Sequence, residues 1–63
     1  MLKELKGKGY KAVSKQLHKM GYALDFEDEE NTLYANKTCA GVTVDRIKVL
    51  FSEKMRAQAI ERW

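Results

Sequence analysis

Lys8, Lys11, Lys15 and Lys19 recur at intervals of three and four, the spacing that gathers side chains on one side of an α-helix. Ammonium groups held in such a row can neutralise successive phosphates of a nucleic acid and release condensed counterions. The resulting affinity depends on salt and little on sequence. Arg46, Lys48 and Arg56 follow later in the chain. An arginine adds a planar fork able to grip a phosphate or a guanine edge through two hydrogen bonds. The plainer account of a lysine stripe is a solvated helix face that keeps a small domain soluble.

The charge is segregated along the chain. Residues 1–20 hold six lysines against Glu4, residues 21–33 hold five carboxylates and no base, and residues 34–63 hold six bases against three acids, for a net charge of +3. The acidic run, Asp25, Glu27, Asp28, Glu29 and Glu30, lacks the alternating oxygen ligands and central glycine of a calcium loop. It reads as a solvated strand face and turn that would repel phosphate, so a polyanion should approach a different face. It could also dock a basic partner.

Other chemistry is thin. His18 could serve as a general base or metal ligand, but Lys15 and Lys19 beside it disfavour a bound cation, and a solvated helix residue is the simpler account. Cys39 stands near Lys37, yet a nucleophile needs a base and none is apparent. One cysteine and one histidine build neither a disulfide nor a structural metal site. No catalytic residue, metal or cofactor is assigned, and the chain is not expected to be an enzyme.

These side chains need elements to position them. Tyr10, Val13, Leu17 and Met20 keep a three-or-four spacing opposite the lysines, and Gly21 supplies a stop, which predicts an amphipathic helix. The period then becomes two: Tyr22, Leu24 and Phe26 alternate with Ala23, Asp25 and Glu27, the pattern of a half-buried strand. Residues 28–31 form a turn into a second strand, Thr32 to Lys37, and residues 38–41 form a second break. Tyr34 shares parity with Thr32 and Asn36, which makes it the aromatic to test first for exposure. Residues 42–51 admit two readings. One is a bent third strand with a bulge near Asp45 and Arg46, which reconciles the parity of Val42 and Val44 with that of Ile47, Val49 and Phe51; the other is a helix capped by Asp45. From Ser52 a second helix is expected, with Met55, Ala59, Ile60 and Trp63 along one side.

The run Leu17-His18-Lys19-Met20-Gly21-Tyr22, a hairpin, then Asp45-Arg46-Ile47-Lys48-Val49-Leu50 and a closing Ala59-Ile60-Glu61-Arg62-Trp63 resembles a small accessory element that follows the nuclease domain of some conjugative relaxases, the mobilisation proteins of plasmids and transposons. That resemblance spans nearly the whole chain. It implies a helix, strands, an arginine-bearing strand and a final helix in a DNA-processing protein, without the nicking chemistry, whose histidine cluster and tyrosine belong to a domain absent here. The same element order resembles the double-stranded-RNA-binding fold and small toxin ribonucleases. The ribonuclease activity depends on a strand-region histidine that this chain lacks.

The expectation is therefore one α+β domain over residues 1–63: a two-layer sandwich, α-β-β-(β)-α, with an antiparallel sheet covered on one face by two helices. Its expected function is a non-enzymatic nucleic-acid-binding accessory module, DNA in preference to RNA, contacting phosphates through the lysine face and Arg46, Lys48 and Arg56. The alternative is a protein-interaction or homodimerisation module using the acidic hairpin or a sheet edge. With no secretory signal or apolar span visible, the chain reads as cytoplasmic, with no membrane partner or small-molecule substrate.

Overall fold

The computed structural model describes residues 2–62. A short 3-10 turn, Leu2–Leu5, leads into helix α1, Tyr10–Lys19, and then four strands: β1, Ala23–Glu27; β2, Thr32–Cys39; β3, Val42–Phe51; and β4, Ala57–Arg62. The strands form a single antiparallel meander in the order β1-β2-β3-β4.

Helix α1 forms where the periodicity requires it and ends at Gly21. The Gly21 N–H donates to His18 O at 3.0 Å and the Tyr22 N–H to Leu17 O at 3.1 Å. Gly21 takes φ 95°, the left-handed residue that this helix ending demands. Leu17 and Tyr22, which that pair of hydrogen bonds brings together, are both buried. Val13 and Leu17 pack with Leu33, Ala35, Ile47, Val49, Phe51 and Ala57 in one core, and Tyr10, Leu24, Phe26 and Ile60 pack against it. At one end of the core the rings of Tyr10 and Phe26 meet edge to face at 5.0 Å.

The expected two-helix sandwich is wrong in its last element. Residues 57–62 are a strand, and one helix covers one face of the sheet; the other face is bare. Ser52 nucleates a turn instead of capping a helix: its N–H donates to Arg56 O at 2.8 Å, and its own carbonyl accepts from the Met55 N–H at 2.9 Å. Met55 takes φ 59° to close the loop. Helical spacing of Met55, Ala59 and Ile60 is outweighed because a short helix is marginal alone, whereas β4 satisfies the outer ladder of β3 and sets Ile60 opposite Val49. Trp63, expected on that helix, lies outside the described residues.

Residues 45–51 belong to a strand, which removes the helix capped by Asp45. The bulge sits slightly earlier than expected: Lys37 pairs with Asp45 and Thr38 with Thr43, which leaves Val44 as the extra residue. Strands β2 and β3 are joined by Ala40 and Gly41, both at positive φ, 53° and 80°, the two-residue turn whose twist suits a hairpin.

The segment before the helix staples the two ends of the fold together. The Gly7 N–H donates to Ala57 O at 2.7 Å, the Ala57 N–H donates to Lys8 O at 2.8 Å, and Tyr10 N donates to Met55 O at 3.0 Å. Gly9 bridges Arg56.

Candidate nucleic-acid interface

Lys8, Lys11, Lys15 and Lys19 are all exposed, Lys11, Lys15 and Lys19 on the side of α1 away from the core. Lys8, Lys15 and Lys19 line a single shallow groove of about 300 Å³ between the helix and the 3-10 turn, together with Glu4, Leu5, Ala12 and Gln16. Lys11 stands outside its walls. Within α1 the row from Lys11 to Lys19 covers roughly 12 Å at 1.5 Å per residue.

The remaining predicted contacts lie elsewhere. Arg46 and Lys48 are on β3, paired with Asn36 and Tyr34 across the bare face of the sheet. That face is mixed in sign, because Asp25 pairs with Tyr34 and Glu61 with Lys48. The Lys48 ammonium sits 5.8 Å from the centre of the Tyr34 ring, and the Tyr34 hydroxyl donates to Glu30 Oε1 at 2.5 Å. That hydrogen bond, with burial and the Glu30 and Glu27 charges behind it, pushes the Tyr34 phenol up. Tyr34 is half-buried on this face, neither in the core nor a free stacking platform. Arg56 is at the β3–β4 turn, where its guanidinium donates to Gly7 O at 3.3 Å and serves the staple. The predicted cations therefore form two groups on opposite layers, with Arg56 apart from both.

The acidic turn and the C-terminal end of α1 occupy opposite ends of the sheet. Asn31 closes the turn with its side-chain amide, which donates to Phe51 O and Ser52 O, each at 2.9 Å. This places residues 28–31 beside the β3–β4 connection. At the far end, Lys19 precedes the helix stop, and a Cβ added to Gly21 would meet Lys37 Cε at 3.6 Å. Lys37 lies over the Tyr22 ring, 5.5 Å from its centre.

Two features were missed at the sequence level. The first is a polar knot at that far end: the Tyr22 hydroxyl donates to Asp45 Oδ2, and Arg62 Nε is 3.4 Å from Asp45 Oδ1. Burial, reinforced by the Asp45 hydrogen bond, pushes the Tyr22 phenol up. The second is the hydrophobic pair Val42 and Val44, 63% and 60% exposed. Their parity signalled a strand, but nothing local signalled that the strand continues past its neighbours. Cys39 is exposed and opposite Val42, and His18 is exposed on the helix. Among the described residues no group of three or more histidine, cysteine or acidic side chains could hold a metal ion, and no helix is long and apolar enough to cross a membrane.

No family model, curated protein or solved structure matches this chain.

Proposed function

We propose that the domain is a non-enzymatic accessory module that holds duplex DNA by its phosphates. The observation that carries this reading is the groove in which Lys8, Lys15 and Lys19 converge, with the carboxylate turn at the other end of the sheet from Lys19. Cations on a shared wall can engage neighbouring phosphates simultaneously; Glu4 on the same wall and the acidic turn at the Lys8 end oppose the attraction, so Lys15 and Lys19 carry most of it. The setting implied by the relaxase resemblance is an attachment to a DNA-processing enzyme.

Binding should be weak and steeply salt-dependent, with Kd of about 1–100 µM near physiological salt. Fluorescence anisotropy with a short duplex tests it. Replacing Lys8, Lys15 and Lys19 by Gln should reduce the slope of log K against log salt by about 2.7 if each meets one phosphate. No retention of duplex DNA at low salt would eliminate the reading.

A second reading, self-association, is favoured by one observation: β1 is an edge of the sheet, paired among the described residues with β2 alone, so its outer backbone groups could accept a strand from another copy. A concentration-dependent dimer in sedimentation, without affinity for DNA, would select it.

A further inference from the structure

We infer that the free end of the β2–β3 hairpin is a groove probe, which enters the major groove of duplex DNA and sets Val42 and Val44 against thymine methyl groups. This rests on the phosphate-binding reading and gives it a shape.

The hairpin outruns its neighbours. The last residue of β2 paired with β1 is Asn36, opposite Ala23, and the last residue of β3 paired with β4 is Ile47, opposite Arg62. Beyond them, residues 37–39 pair only with residues 42–45 among the described residues, Val44 being the bulged one. Two strands about 4.8 Å apart, with their side chains, make a ribbon that the roughly 12 Å major groove admits. A four-stranded sheet would not fit.

The charge distribution on this arm matches a groove in cross-section. A duplex groove has anionic walls and an uncharged floor of base edges and thymine methyls. The tip of the arm, residues 38–44, carries no ionisable side chain apart from the Cys39 thiol, and its two valines are the exposed large hydrophobics among the described residues. Cations stand at its shoulders on both sides: Lys37, beside Gly21 and Tyr22 where α1 ends, and Arg46 on the opposite face of the sheet. Asp45, the one acid on the arm, faces inward, where it accepts from Tyr22 and pairs with Arg62. Lys37 and Arg46, on opposite faces, thus flank one protruding element. The bulge at Val44 bends the ribbon and re-aims that side chain, as bulges do where a strand must present a residue out of register.

The test compares a duplex of alternating adenine and thymine with the same duplex in which deoxyuridine replaces thymidine, removing only the C5 methyl groups. The wild-type domain should lose about fourfold in affinity for each methyl it covers, the ratio expected for one buried carbon. The double variant Val42→Ser, Val44→Ser should bind both duplexes equally, with the salt slope of the wild type and an unchanged thermal midpoint. Equal wild-type affinity for the two duplexes, with salt-dependent binding intact, overturns the groove probe and leaves phosphate binding standing. Absence of binding to either duplex sinks both. Conversion of a wild-type dimer to monomer by the serine pair would overturn the probe as well, by making the arm a self-docking element.

Discussion

Tyr22 joins the helix end, the hairpin and the last strand. Its ring is buried under the helix stop, its hydroxyl donates to Asp45, and Lys37 lies over its face. Because the folded-state phenol is raised, the native protein keeps a proton that the unfolded chain releases near pH 10. The associated stability is complete below that pH and is lost as pH rises through the folded value. Thermal melts should therefore show a falling midpoint in the alkaline range. Tyr22→Phe should flatten that fall and cost about 1.5–3 kcal/mol at neutral pH, the range for a hydrogen bond to a charged acceptor. Tyr34, also raised, titrates in the same direction, so Tyr34→Phe is the control that separates the two. Alternation in the sequence placed Tyr22 inward. Its partner could not be read, because Asp45 is 23 residues away and only the hairpin register brings it near.

At the level of elements, the hairpin turn carries a visible local conflict. Ala40 and Gly41 both adopt positive φ, which glycine tolerates and alanine resists by roughly 1–2 kcal/mol. Ala40→Asn supplies the residue favoured at the first position of this turn. It should raise stability by about 1 kcal/mol, read as a higher urea midpoint at unchanged slope. Helix α1, with its three-or-four period and glycine stop, was legible because every signal that defines it is local. So was the β1–β2 hairpin. The segment after Ser52 was not: Ala59 and Ile60 fit either period, and the decision came from β3, whose outer edge needed a partner. The lysine face followed directly from helix periodicity, whereas the arm did not, since its exposure depends on where two other strands stop.

For the whole molecule, the core is small and built around Leu17, Leu33, Ile47, Val13 and Val49, all nearly or fully excluded from water. A domain of this size has only a few kcal/mol of stability to lose. Leu17→Ala should remove about 2–5 kcal/mol and abolish the cooperative thermal transition in circular dichroism, whereas the lysine and valine substitutions described above leave it in place. The charge layout was readable as a linear segregation, and folding sets the acidic turn at the end of the sheet where Lys8 is anchored and Lys19 at the other. That conversion needed the strand order, which no run of residues specifies.

The staple between Gly7 and Ala57 fixes the order in which the fold can be completed. Its closure must bridge a loop of about fifty residues, and such a loop forms slowly compared with a helix or a hairpin. On a ribosome, the early helix and the first three strands would wait, with the flank of β3 uncovered, until the last strand emerges. Nascent chains halted before Ser52 should therefore be the species most prone to clump.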